Sequence, residues 1–206
     1  MPTIEADIRT HHRTAVLRSI ELVDTVQPDD LSRPTPCSDW TLADLLTHMT
    51  VQHRGFAAAA RGNGADDAVW RPETVADAVR ADPAGAYAAA ARDVLDAFAA
   101  EGVPEATFAL PEFGPGATFP GAMAIGFHFV DYVAHGWDVA AALGVPYDLP
   151  ADVVAAVLPL VMAIPDGDIR DAANSPFAHA VNTAATTDFD RLLAHLGRRP
   201  DWRQPN

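Results

Sequence analysis

The stretch from Pro120 to Gly144, PGAMAIGFHFVDYVAHGWDVAAALG, constrains this chain more than any other. At about 3.6 residues per turn, His128, Asp131, His135 and Val139 fall on one stripe, which Ala124 and Ala142 extend. Phe127, Val130, Val133 and Trp137 flank that stripe, so the spacing predicts a helix whose polar face points inward. A buried carboxylate without a partner is costly or takes up a proton. Something must satisfy Asp131, and a metal ion is the leading candidate.

The remaining pattern predicts further helices around this one. Ile4, Ile8, Val16, Ile20, Val23 and Val26 recur at helical spacing, with His12 in their stripe and His11 off it. His12 reads as a core or pocket residue with a hydrogen bond. Pro28, Pro34 and Pro36 force a connection. Thr41 followed by Asp44 then opens a second helix as a capping box. Its apolar face is Leu42, Leu45, Leu46, Met49 and Phe56, and His48 sits at the edge of that face. His53 lies about 140° further round and is not expected to share a site with His48.

After a weaker helical piece around Val75 to Val79, Asp82-Pro83 starts a third main helix that runs to about Ala100. Residues 106–119 read as a short hairpin or a loop. The Pro120–Gly144 helix stops at Gly144 and Pro146. A fifth helix is expected from Pro150 to Met162, bent or ended near Pro159, and a last one from Asp188 to Leu196. The expectation is one all-α domain over 1–206, a four-helix bundle over about 4–144 with short C-terminal helices in an extension over about 145–206.

Charge and cysteine content exclude several functions. Against 28 acidic residues stand 14 basic ones, a formal net charge of −14, which repels phosphate backbones and anionic lipid surfaces. Neither a nucleic acid nor a membrane is expected as a partner. Cys37 is the single cysteine, so a cysteine-rich zinc site is ruled out, and its ordinary reading is a small, semi-buried residue. The N-terminus has no signal-peptide pattern and the longest apolar run is broken by Pro159, so a cytoplasmic protein is expected. Monomer and homodimer both remain open.

Chemistry concentrates on two helices. Asp131 and His135 are one turn apart, a rise of about 6 Å, and can converge on one ion. His128 is about 10.5 Å along the axis from His135, too far for easy joint ligation, and reads as a pocket wall. His48 can complete a two-histidine, one-carboxylate set from the opposite helix. Three protein ligands leave positions open for water or substrate, as in catalytic sites. The same residues also suit a buried charged pair without metal.

The segments TPCSDWTLADLLTHM, FHFVDYVAHGWDVAAALG and DRLLAHLGRRPDW together resemble actinobacterial metal-binding proteins of the DinB-like superfamily, with the mycothiol-dependent maleylpyruvate isomerase N-terminal domain as a well-known relative. The resemblance spans nearly the whole chain. It implies a divalent ion, usually zinc, with nickel, manganese and iron as alternatives, held at the positions of His48, Asp131 and His135. It also implies mycothiol as cosubstrate and a small electrophile as its partner. Asp138, in the HGWD box, matches an acidic residue near the family's site. Asp138 and His128 are then the candidate catalytic groups, to orient a ligand or move a proton. Two departures stand out: Asp131 replaces a longer glutamate, and the isomerase's separate C-terminal domain has no counterpart here.

Three functions follow as expectations. The first is a metal-dependent mycothiol S-transferase or isomerase in which the ion favours the thiolate. The second is a metal- and small-ligand-binding or stress-related protein without turnover. A ferrous oxygenase, which a two-histidine, one-carboxylate set also suits, is a distant third.

Overall fold

The structure is a computed structural model that describes residues 7–37, 40–172 and 175–204. Among the described residues seven helices follow in order: α1 (Arg9–Val23), α2 (Leu42–Ala60), α3 (Glu73–Ala81), α4 (Pro83–Ala99), α5 (Gly121–Leu143), α6 (Ala151–Met162) and α7 (Asp188–His195). The fold is all-α and DinB-like, with one small hairpin between α4 and α5. That hairpin pairs β1 (Thr107–Ala109) antiparallel to β2 (Thr118–Pro120), with Phe108 opposite Phe119.

Local chemistry sets the ends of the helices that carry the site. At α2 the Thr41 hydroxyl accepts from the Asp44 amide, and the Asp44 carboxylate accepts from the Thr41 amide at 3.0 Å. Such a box typically stabilises a helix by about 1 kcal/mol. At α4 the Asp82 side chain accepts from the Gly85 amide, with Pro83 in the first turn. α5 ends at Gly144, whose left-handed φ of +72° lets the chain turn away.

Packing then explains why α5 is hydrophobic almost all round. One face joins α1, α2 and α4 through Val16, Leu45, Met49, Leu95, Tyr132 and Val139. A second face, with Phe129 and Val133, meets Val153, Val157 and Val161 of α6 and Leu192 and Leu193 of α7. Nearer the hairpin, Ile125 packs with Phe56, Phe98 and Phe108. Each such fully buried side chain stabilises the fold by roughly 1.5–3 kcal/mol.

Several boundaries differ from expectation. The first helix begins at Arg9 among the described residues, and Ile4 lies outside them. The piece around Val75 to Val79 extends to a full α3. Pro159 does not end α6, which continues to Met162. An interior proline costs about 3 kcal/mol. Val161, wholly buried against the α5–α7 core, offsets that cost. The irregular segment before α7 is tied down by the buried Arg170, whose guanidinium donates to the carbonyls of Pro165, Ala178 and His195. Among the described residues, no helix is long and apolar enough to cross a membrane.

Candidate metal centre

α5 presents Asp131 and His135 one turn apart, and α2 brings His48 against them. His135 Nε2 lies 3.2 Å from Asp131 Oδ1, and His48 Nε2 lies 3.7 Å from Asp131 Oδ2. The second distance is too long for a hydrogen bond. Ligands held at about 2.0–2.1 Å in a tetrahedron stand about 3.3 Å apart, so the observed separations suit donors around a shared ion. All three donor atoms lie within 4.8 Å of one another. His48 and Asp131 keep 27% and 24% of their side chains exposed, so the group opens to solvent on one side. Trp40 lies beside both imidazoles, 5.0 Å from His48 and 6.4 Å from His135 between ring centres.

The proton count at His135 is informative. Its Nδ1 is 2.9 Å from Asp138 Oδ2, while its Nε2 faces Asp131. A neutral imidazole donates from one nitrogen only. With Nδ1–H given to Asp138, the Nε2 lone pair points at a carboxylate, an arrangement that needs a proton or a cation between them. Without an ion the proton stays: burial opposes the charged ring, but Asp131 and Asp138 overcome it and lift His135 to about 9. Burial likewise works to raise Asp131, and His135, with His48 behind it, holds the carboxyl well below the usual range. A carboxylate on the far nitrogen of a metal-bound histidine is the common way to fix its tautomer.

Asp138 is itself fixed from beyond α7. Arg198 Nη2 donates to Asp138 Oδ2 at 3.0 Å, and Arg198 Nη1 donates to the Leu196 carbonyl at 2.9 Å. Gly197, at φ +79° and close against the backbone of Ala178 and His179, makes the turn that sends Arg198 back to α5. Burial opposes ionisation of Asp138, but Arg198 and then His135 keep its carboxyl low. Cys37 Sγ also approaches, 3.7 Å from Arg198 Nη2. Burial pushes its thiol up to about 12, despite Arg198, so it stays protonated.

His128 is not brought to this group. It sits between α1 and α2: His12 Nε2 is 2.8 Å from His128 Nδ1, and His53 Nδ1 is 3.2 Å from His128 Nε2. All three imidazoles are buried. Tyr132 stacks on both His53 and His128 at 4.0 Å, and its hydroxyl donates to the Met49 carbonyl. Burial pushes His12 down to about 3, and holds His53 and His128 well below the usual histidine range. His12 is the hydrogen-bonded core residue that its stripe suggests. Sequence reasoning missed Arg198, which no periodicity connects to Asp138, and it missed Trp40 as a wall of the site.

An all-α, DinB-like domain with an open His-Asp-His group defines a class, and comparison with known proteins names the family. Residues 12–140 match the mycothiol maleylpyruvate isomerase N-terminal domain family, and the chain belongs to it. Two Mycobacterium tuberculosis proteins, Rv0738 of strain H37Rv and MT0763 of strain CDC 1551 / Oshkosh, are each 31% identical over 189 residues, covering 91% of this chain and 95% of theirs. The crystal structure of the mycothiol-dependent maleylpyruvate isomerase superposes with a TM-score of 0.57 at 14% identity, over 82% of this chain and 70% of that one. A histidine-to-alanine mutant of that enzyme matches with the same score and coverage at 12% identity. At that identity the likeness concerns the fold.

Proposed function

We propose that this protein is a metal-dependent mycothiol S-transferase or isomerase whose ion is held by His48, Asp131 and His135. The observation that carries the reading is His135 between two carboxylates, with His48 brought up at a distance that makes no hydrogen bond. The donor set of two imidazoles and one carboxylate fits zinc first, and nickel, manganese or iron next. Bound there, the ion would lower the pKa of a thiol and so favour the nucleophilic thiolate.

The chain's own residues do the rest. Asp138 keeps the proton of His135 on Nδ1, so that Nε2 offers a lone pair, and Arg198 keeps Asp138 charged and in place. Trp40 covers the imidazoles on one side and restricts water. Addition joins the thiol sulfur to the electrophilic carbon as that carbon's double bond opens, its electron pair moving onto the adjoining carbonyl group. The thiol proton leaves to solvent through the open side at His48 and Asp131, and a solvent proton completes the adduct. In an isomerase the opened bond rotates, and the electron pair returns to re-form the double bond as the carbon–sulfur bond breaks and releases the thiolate. The chain acts as one domain in this scheme, because α6 and α7 cover the second face of α5 and Arg198 reaches the site from beyond them. It places the protein in the cytoplasm, where a reduced thiol cosubstrate is available.

A metal-free reading also has one observation behind it: Asp131, Asp138, His135 and Arg198 can balance as two negative and two positive charges. That reading suits a ligand-binding protein without turnover, and it leaves the approach of His48 unexplained. Elemental analysis of untagged protein purified without chelator decides between them. About one divalent ion per chain, lost in His48→Ala, is expected. No ion in either protein refutes the metal reading, and a loaded protein that never accelerates mycothiol addition to electrophiles above the His48→Ala rate refutes the enzyme reading.

A further inference from the structure

The residues one turn beyond the His-Asp-His group, toward the hairpin, form a wall of unequal halves. On α2, Gln52 follows His48 by one turn, and its Nε2 donates to Glu112 Oε2 of the hairpin at 3.0 Å. On α5, Phe127 precedes Asp131 by one turn. Its ring meets Phe113 and Phe119 of the hairpin at 5.1 and 5.2 Å, and those two rings lie 5.0 Å apart. The short turn Pro111–Phe113 therefore closes this end of the site, with a carboxylate on the α2 side and an aromatic cluster on the α5 side. Half of Phe113 is exposed, and so is half of Met123, one turn before Phe127. Exposed apolar side chains beside a polar site are what a ligand would cover.

Asp131 and Glu112 both face this mouth. With Asp131 offset by the ion it holds, Glu112 is left there as a carboxylate without an ion pair among the described residues. Arg198 is occupied by Asp138. Arg71 shares an outer groove with Glu112, but Asp67 and Glu73 line the same groove. Solvent reaches Glu112, yet the wall around it is crowded enough to push its carboxyl up to about 7. The Gln52 hydrogen bond works against that shift and the Asp131 charge adds to it. The group is therefore fully charged only above that value, at about pH 8.5.

We infer that the Pro111–Phe113 turn is the wall that selects the electrophile, and that it selects an uncharged molecule with an aromatic or alkyl body over one bearing a carboxylate. The inference rests on the metal-and-thiol reading above. The three phenylalanines take the apolar body. Asp131 is offset by the ion it holds, so Glu112 is the charge that repels an anion on the way in, as like charges across a partly solvated mouth do.

Calorimetric titration at about pH 8.5, where Glu112 is ionised, of metal-loaded protein saturated with mycothiol tests this with two unreactive probes, meta-nitrobenzamide and meta-nitrobenzoate. The amide is expected to bind tighter, on the order of tenfold. Glu112→Gln, with metal content unchanged, is expected to narrow the gap by strengthening the carboxylate alone, and Phe113→Ala to weaken both probes alike. Equal affinities, a preference for the carboxylate, binding of neither probe, or a gap unmoved by Glu112→Gln overturns the inference. Failure to load metal or to bind mycothiol fails the underlying reading and this inference with it. Loading and thiol binding without discrimination fails the wall alone.

Discussion

The Asp138–Arg198 pair can be tested apart from any metal. Asp138 is fully buried and Arg198 is 5% exposed, and they meet at 3.0 Å. Asp138→Asn keeps an oxygen to accept from His135 Nδ1 but leaves the guanidinium without its counter-charge. Arg198→Met keeps the carboxylate and removes the cation. Breaking a buried pair from one side costs about 3–5 kcal/mol, because the remaining charge is stranded away from water. Removing both sides strands nothing. The double variant is therefore expected to lose about as much as one single variant and not the sum, a coupling of at least about 2 kcal/mol. Urea unfolding of chelator-treated protein at neutral pH measures this. With a slope near 2 kcal/mol per molar, a single variant should lose about 1.5–2.5 M in its midpoint. Additive losses, or single losses under about 1 kcal/mol, would refute the reasoning, since the pair would then be exchanging its charges with water.

Three further outcomes are expected. The buried His12, His53 and His128 are neutral in the fold, with values depressed by burial, so protons bind the unfolded chain alone as pH falls below about 6.5. His135, raised to about 9, acts the other way, but its contribution is nearly complete below about 6.5. Glu112, raised to about 7, would offset at most about 1 kcal/mol of the loss, since solvent screens it, so the measurement is made in Glu112→Gln. Unfolding free energy measured in urea should drop by about 3 kcal/mol between pH 6.5 and 5.5, and a flat profile would rule out a neutral cluster. Gly126→Ala should raise the melting temperature, because the added methyl would sit 3.7 Å from a Leu160 methyl and the helix gains up to about 1 kcal/mol. Gly136→Ala should lower it by the equivalent of about 1–3 kcal/mol, since its methyl would collide with the Tyr147 hydroxyl, and calorimetry giving the reverse order would contradict this packing.

What the sequence made legible follows from where geometry is local. Asp131 and His135 share a helix, so a spacing of four residues already sets their distance, and the Thr41–Asp44 box marks the start of α2 for the same reason. Helical angle alone turns His53 away from His48. That it meets His128 and His12 depends on the relative height and rotation of α1, α2 and α5, which no single-helix period contains. Arg198 reaches Asp138 across sixty residues and a left-handed glycine, and Glu112 reaches Gln52 from a hairpin tip that read equally well as a loop. The two histidine groups are linked through α5. His128 is bonded at both ring nitrogens, one turn from Asp131. Rotating α5 enough to pull Asp131 from His48 must then break two buried hydrogen bonds and leave their polar atoms unpaired, at about 1–3 kcal/mol each. The buried cluster, bonded within itself, thus fixes the register in which Asp131 and His135 face His48.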